Sequence, residues 1–438
     1  MKLGTINVSI LFIMFLLVGG TCEKKIELPD SVEELQLEKS SVELEEGRST
    51  TVKITSGNGG YKTTTSPEEI VTTLVDEEKE ISLTALKKGT TTITVIDAKE
   101  KVATIAATVK EKTPTVDPKD ADGKFALAIY PDTQTEMQLN GNHVKQQAID
   151  RSKWVVGQRD ALDIRAVLHI GDVVNWDTAP YKTVWDPKDD HHQYEGAVLM
   201  LQPLRDVKMP TSLSIGNHDT MATGPTGGSN RGSYEQLPPG IDTYQLQRMT
   251  DAFNYYLYDS KLIPTWKPFE TGKVDNGYWT FEAAGAKWLV LNLELWPRTV
   301  VTNWAKGIIE ANPDRNIIIQ THNMFNGNCG IAGGDTEKYG GYGDNSPRRV
   351  WNLLVEPYSN VKVVTSGHEG VQCAQVFDTK KGHKVIGTLQ NNVNKDYNPV
   401  RILEIDVKNG KATTYNYATN GNQTKDKVEL TGLIFIKP

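Results

Sequence analysis

The sequence predicts a layered α/β domain preceded by a small all-β one, and three observations carry that reading. From Phe125 onward, apolar runs recur at 125–130, 166–170, 211–215, 287–293, 316–320 and 361–366, with helical stretches intervening. Ahead of them, residues 31–112 are rich in Thr, Val, Ile, Glu and Lys, hold one aromatic residue, Tyr61, and contain no histidine. Five of the six later runs stop at Asp, Asn or His, which a strand does when its tip must present polar groups. Strands alternating with helices build sheets with helices packed on them, and ligands of open α/β sheets bind at the carboxyl ends of the strands.

A chain of 438 residues has room for two domains, and 38% hydrophobic with 24% charged residues describes a globular protein with a sizeable core. The net charge of −7, from 48 basic and 55 acidic residues with no basic block, excludes a nucleic-acid backbone as a partner.

Residues 1–22 read as a targeting segment. Lys2 supplies a positive start, Ile10 to Val18 an apolar core, and Gly19, Gly20 and Thr21 lead to Cys22. The run falls short of the ~20 residues that span a bilayer and reads as a signal peptide. Cys22 resembles the lipidated cysteine of a bacterial lipoprotein, although Gly19 stands where leucine is usual and Thr21 where Gly, Ala or Ser is usual. The expectation is an exported cell-envelope protein, in the periplasm or on the outer surface, whose membrane contact is a lipid anchor at Cys22. Simple cleavage is the alternative. Cys329 and Cys373 remain as an even pair in an oxidising compartment.

The first domain is placed at 30–112. Thr92–Ile96 and Thr104–Val109 read as short strands separated by turn signals such as Lys87-Lys88-Gly89. With Val42-Glu43-Leu44-Glu45-Glu46-Gly47 and Lys88 to Val95, the segment resembles the bacterial immunoglobulin-like domains of surface proteins. That resemblance implies a β-sandwich serving as spacer or adhesion module. Residues 113–124, with Pro114, Pro118 and Gly123 among charges, read as a linker, and 125–438 as the second domain. There Val144, Ala148, Val155 and Leu162 share one helical face, and Ser346-Pro347 opens another helix as N-cap and first-turn proline. After 384 the texture turns to β: Lys384–Leu389, Arg401–Val407 and Ala412–Ala418.

The strand tips carry the chemistry. They read Pro131-Asp132-Thr133-Gln134, Gly171-Asp172-Val173-Val174-Asn175, Gly216-Asn217-His218-Asp219, Thr321-His322-Asn323 and Gly367-His368-Glu369-Gly370. Carboxylate, amide and imidazole on one edge make a divalent-metal site of mixed oxygen and nitrogen character, suited to Mn, Fe, Zn or Mg. His169, inside its strand, reads as a packed core histidine.

Asp-x-Gln, Gly-Asp-x-x-Asn, Gly-Asn-His-Asp, Thr-His and Gly-His, in this order over roughly residues 125–420, resemble the calcineurin-like metallophosphoesterases. The resemblance implies a four-layer α-β-β-α sandwich with two divalent metal ions at the sheet edge. Carried over, it gives Asp132, Gln134 and Asp172 to the first metal. The second shares Asp172 and adds Asn217, His322 and His368. It implies hydrolysis of phosphate esters, mono- or diesters, by a metal-activated hydroxide. His218 stabilises phosphoryl oxygens and protonates the leaving group, Asp219 holds the His218 ring, and Asn175 orients the loop or contacts phosphate. Gln193 and Tyr194, a Gln-aromatic pair, are expected to line the substrate pocket, and the implied substrate is a phosphorylated small molecule, lipid or glycan.

Two departures fall on the first metal. Gln134 replaces the commoner histidine, and Gly370 stands where a second histidine is usual. Three outcomes stay open: a hard cation completed by water, rescue by Glu369 or Gln372, or an empty first site in a binding protein for a phosphorylated or glycan ligand. The glycine-rich loops 222–240, with Arg231, and 326–346 are candidate substrate contacts, and His191 and His192 are pocket or surface residues. If His322 and His368 bind one metal, their loops are neighbours and a Cys329–Cys373 disulfide becomes reasonable. Two unlinked thiols are the alternative.

Overall fold

In the computed structural model the described residues are 32–76, 79–111, 118–137, 146–175, 192–223, 242–258, 263–333, 342–391, 398–421 and 423–437. The signal segment with Cys22, linker residues 113–117, Val144, His191, Arg231, residues 224–240 of the first glycine-rich loop and 334–341 of the second lie outside them. No helix among the described residues is long and apolar enough to cross a membrane. The chain divides into two compact units, Met1–Thr115 and Val116–Pro438.

The first unit is all β: β1 (Gln36–Leu37), β2 (Ser41–Glu45), β3 (Ser49–Ser56), β4 (Lys62–Ser66), β5 (Val71–Val75), β6 (Glu80–Ala85), β7 (Gly89–Ile96) and β8 (Val102–Lys110). They form two four-stranded sheets, β1-β3-β6-β5 and β2-β8-β7-β4. Side chains alternate across a strand. Val52, Ile54, Ile81 and Leu83 of one sheet and Ile93, Val95, Ile105 and Val109 of the other therefore share one buried core, while on β7 the intervening Thr92 is exposed and Thr94 half-buried.

The second unit is mixed α/β. Its first half runs β9 (Lys124–Tyr130), α1 (Gln146–Gln158), β10 (Ile164–His169), α2 (His192–Asp206), β11 (Thr211–Leu213), α3 (Thr243–Gln247) and α4 (Asp251–Leu257). Then come β12 (Lys267–Pro268), β13 (Gly277–Ala283), β14 (Ala286–Leu293), α5 (Thr299–Ala311), β15 (Asn316–Thr321), α6 (Pro347–Val350) and β16 (Val361–Ser366). Five strands close the chain: β17 (Cys373–Asp378), β18 (Lys384–Leu389), β19 (Pro399–Asp406), β20 (Lys411–Ala418) and β21 (Gln423–Leu430). One sheet has the order β11-β10-β9-β19-β20-β21, the other β12-β13-β14-β15-β16-β18-β17. The late strands are shared out: β17 and β18 join the second sheet and β19 to β21 the first.

The central strands are buried on both faces, which is why they read as continuous apolar runs. On β9, Phe125, Leu127 and Ile129 enter a core shared with Trp279, Trp288, Val290, Ile318 and Val363 of the second sheet. Ala126, Ala128 and Tyr130 of the same strand enter a second core with Ala148 of α1, Leu201 of α2 and Phe253 of α4. The second sheet repeats the pattern, with Leu289, Leu291, Ile317 and Ile319 packed on Val301 and Ile309 of α5 and Leu354. Amides tie the two sheets together near the strand tips. Gln320 donates to the carbonyls of His169 (2.7 Å) and Ser212 (3.2 Å). Asn292 donates to the Leu213 carbonyl (2.9 Å) and accepts from the Ser214 hydroxyl (3.0 Å).

Ser346 caps α6 by accepting from the Arg349 N–H, with Pro347 in the first turn, as its residue type requires; the helix then widens into a π-turn over Trp351–Val355. The helix around Ala148 and Val155 ends at Gln158, so Leu162 lies beyond it.

Candidate metal centre

In the parallel part of each sheet the strands point the same way, so β9, β10 and β11 deliver their tips to one edge, as do β15 and β16. The sharp turns at the tips use left-handed backbone. Gly171 has φ +99, and Asp172 and His368 adopt φ +49 and +75. Non-glycine residues hold such angles at a cost of roughly 1–3 kcal/mol and only where the surroundings enforce them, which is commonest at functional sites.

Asp172, His322 and His368 each offer a ligand atom, and the three atoms lie within 4.8 Å of one another. Asn217 joins them, its Oδ1 lying 3.0 Å from His368 Nδ1. His322 is the most informative. Its Nδ1 sits 2.8 Å from the Ile170 carbonyl, which can only accept, so Nδ1 carries the proton. Its Nε2, fully buried, then turns toward Asp172 Oδ2 at 2.9 Å without hydrogen-bonding geometry and has no other partner. A ring nitrogen this close to a carboxylate oxygen calls for positive charge between them, either a second ring proton or a cation. A divalent cation meets that need, and metal-bound histidines commonly donate their second N–H to a carbonyl in this way.

Electrostatics describe the same demand. Burial opposes the ionised form of Asp172, but His322 and His218 outweigh it and hold the carboxyl below its usual range. Burial lowers the His322 imidazole, yet Asp172 prevails and lifts it to about 9. Burial, then His322, pushes His368 down to about 4. Burial and the nearby Asp172 charge raise Asp132 well above the carboxylate range.

Asp132 and Gln134 sit at the β9 tip, where Asp132 accepts from the Gln134 main-chain N–H (3.1 Å) and Nε2 (3.2 Å). The 3₁₀ turn Gln134–Glu136 is anchored by a buried two-pronged pair, Arg151 Nη1 and Nη2 to Glu136 at 2.9 and 2.7 Å, with Arg151 Nε on the Pro399 carbonyl. His169 is a packed histidine: Nε2 bonds Thr133 Oγ1 and Nδ1 accepts from the Gly171 N–H.

His218 donates its main-chain N–H to Asp172 Oδ1 (2.9 Å), and its Nδ1 donates to the Asn175 carbonyl (2.7 Å). The expectation that Asp219 holds this ring is corrected. The Asp219 carboxyl instead accepts the N–H groups of Val174 (3.0 Å) and Gly216 (2.9 Å), fastening two tips together. Burial, with the Asp172 charge, raises it to about 7. The Asn175 main chain orients the histidine. Gln193 and Tyr194, expected to line the pocket, are instead buried in the first turn of α2, where Gln193 Oε1 accepts from the Asn175 N–H (2.9 Å) and the Tyr194 hydroxyl donates to the Asp219 carbonyl (2.5 Å). They brace the tips from beneath.

Rescue of the first metal position by Gln372 is also corrected, since its Nε2 donates to the Asn391 carbonyl (2.6 Å) and its Oε1 accepts from Asn416 (3.2 Å). Glu369 is absent from the cluster found among the described residues. A Cβ on Gly370 would meet nothing within 4 Å, so the missing side chain there is not enforced by crowding. Cys329 and Cys373 form a disulfide, Cα–Cα 6.2 Å, joining the segment after His322 to the strand after His368.

Gly216 is required by close approach. A Cβ there would stand 2.0 Å from Asp172 Oδ1 and 2.6 Å from the Asp172 nitrogen. Gly216→Ala is therefore expected to displace Asp172 and weaken cation binding by on the order of 100-fold, read by chelator competition, with the far-UV circular dichroism unchanged. Wild-type affinity would refute the assignment of Asp172.

Sequence reasoning missed three contributors. Thr223 accepts from Asn217 Nδ2 (2.7 Å). Tyr342 sets its ring 6.4 Å from that of His368 and 5.1 Å from Trp296. Glu294, directly after the 287–293 run, is the sixth polar tip. It is buried, with Arg248 Nη1 at 2.8 Å and Arg298 Nε at 3.0 Å, and Arg248 donates to the Tyr342 carbonyl (2.8 Å). Its position after an apolar run was the available signal; Thr223 and Tyr342 lie in the glycine-rich loops 222–240 and 326–346, whose composition marked the segments but not these two residues.

No family model matches the chain, and no curated protein matches it. Among solved structures it is similar to purple acid phosphatase PPD1 from yellow lupin (Lupinus luteus) seeds, at 11% identity over 91% of this chain and 74% of that one, TM-score 0.43. It is also similar to GAP50, the anchor in the inner membrane complex of Plasmodium, at 10% identity over 70% and 89%, TM-score 0.36. A predicted phosphoesterase from Streptococcus pneumoniae TIGR4 is similar at 10% identity over 70% and 97%, TM-score 0.26.

Proposed function

We propose that the protein is a metal-dependent phosphoesterase of the calcineurin-like kind, an α-β-β-α sandwich carried behind an immunoglobulin-like spacer and exported to the cell envelope. The observation that carries this reading is the convergence of Asp172, Asn217, His322 and His368 around a buried imidazole nitrogen that faces a carboxylate. The disulfide supports export, since such bonds persist in oxidising compartments.

Asp172, Asn217, His322 and His368 would hold one cation, and Asp132, Gln134 and Asp172 a second. Bound divalent cations polarise phosphoryl oxygens and lower the pKa of water. The chain's own groups do the rest. His218, its Nδ1 committed to Asn175, keeps Nε2 for a phosphoryl oxygen or for handing a proton to the departing oxygen. Asp219 and Gln193 fix the two loops that aim this ring.

One observation favours a second reading, a binding protein with weakened hydrolysis: both Asp132 oxygens are engaged by Gln134, and Gly370 brings no imidazole. Metal analysis of purified protein, with turnover of an aryl phosphate and its diester under Mn and Mg, separates the two. Bound cation with turnover is expected. Less than one cation per chain and no turnover would favour the binding protein.

A further inference from the structure

Beside the proposed cation position stands a pair of aromatic rings that the hydrolytic groups do not use. Tyr342 sets its ring 6.4 Å from that of His368, nearly perpendicular to it, and 5.1 Å from that of Trp296. Trp296 is buried, whereas Tyr342 stays half-buried. Tyr342 also packs on a small apolar cluster, Met221, Ala222 and Leu246, which begins two residues after Asp219. One ring thus borders both the His368 tip and the segment that follows His218.

This wall is held rigidly. Trp296 takes left-handed backbone, φ +46, and its indole N–H donates to Asn323 Oδ1 (3.1 Å), the residue after His322. A Cβ on Gly343 would stand 1.7 Å from the Trp296 carbonyl oxygen, so only glycine lets the tyrosine's segment run this close. Asp344 accepts from the Thr299 N–H and Asn345 donates to the Pro297 carbonyl, both at 2.8 Å. Strained backbone at a non-glycine residue persists where the surroundings enforce it, and it clusters at ligand sites. A fixed, partly exposed ring offers contact area with little left to order on binding.

Charge narrows what the wall can take. Arg248, which donates to the Tyr342 carbonyl (2.8 Å), and Arg298, two residues after Trp296, both pair with Glu294, and Arg298 pairs with Glu270 as well. Two arginines balance two glutamates, and the wall is neutral. A second phosphate or a carboxylate on the substrate would call for an uncompensated guanidinium; a ring finds an aromatic partner, edge-on or offset. We propose that Tyr342, backed by Trp296, is the specificity-determining surface of the site and takes a flat, uncharged ring, so that the substrate class is a phosphate ester whose organic group is aromatic. This rests on the phosphoesterase reading and deepens it by naming the organic half of the substrate.

The test titrates the full chain, loaded with Mn, with phenylphosphonate and methylphosphonate by calorimetry. The two share one anionic head, have no ester bond to hydrolyse, and differ in the ring. Phenylphosphonate should bind about 3–10-fold tighter, the range for an added aromatic contact. Tyr342→Leu should bring it down to the methylphosphonate value, and Tyr342→Phe, which keeps the ring, should preserve the ratio. A merely structural role for Tyr342 would weaken both ligands alike in Tyr342→Leu and leave their ratio unchanged, which overturns the proposal. So does equal affinity for the two in the unmodified protein. Binding of neither phosphonate would remove the phosphoesterase reading and this proposal with it, an outcome distinct from the other two, since methylphosphonate asks only for the cations.

Discussion

Changing His218 to Asn is expected to lower turnover about 10²–10⁴-fold, the usual contribution of a positioned proton donor, while cation stoichiometry stays the same. The substitution spares the main-chain bond from residue 218 to Asp172 Oδ1, so the proposed cation ligands keep their places. What is lost is the imidazole whose Nδ1 the Asn175 carbonyl holds. Proton donation matters most when the departing alkoxide is a poor leaving group. The loss should therefore be largest for alkyl phosphates and shrink for aryl phosphates of acidic phenols. Measured kcat values across such a series decide the role, and an equal loss on every substrate would assign His218 to binding alone.

Removing Arg151 is expected to have the largest effect on stability. Its side chain is fully buried, as is that of Glu136, and the pair shares two short bonds with a third to the Pro399 carbonyl. Arg151→Met leaves a carboxylate buried without its cation, at a cost of about 3–5 kcal/mol. A folded domain has only about 5–15 kcal/mol in hand. The denaturant midpoint should fall accordingly, and adding Glu136→Leu should restore much of it, because the orphaned charge rather than the lost attraction is the main penalty. Since Glu136 closes the turn that carries Gln134, the single variant should also disturb the β9 tip.

Much of this fold is legible in the chain because its central strands are buried on both faces. The runs at 125–130, 316–320 and 361–366 fall within a residue of β9, β15 and β16. Helices are harder to read. α2 carries Gln193, Gly196 and Pro203, which blur its apolar stripe, and α5 carries Thr299, Thr302 and Asn303 among its apolar positions. Edge strands are hardest: β21 is exposed at seven positions and has no apolar period to find. At the candidate site, motif order names the residues that meet, but not which atom meets which. Asp219 reads as a partner of the adjacent His218, yet the turn directs its carboxyl to main-chain N–H groups. Hydrogen-bond partners depend on backbone direction at the tips, where left-handed residues such as Asp172 and His368 break the local rules.

The proposed cation donors come from two sheets that have no covalent reason to stay in register. Asp132, Asp172 and Asn217 belong to one, His322 and His368 to the other, and Gln320 and Asn292 stitch between them just beneath. Chemistry here thus acts as a gauge of alignment. A slide of one sheet over its neighbour by an ångström or two would leave both sheets intact and most of the apolar core still covered, yet would pull the donors off a common centre. Loss of cation would be the earliest sign of it.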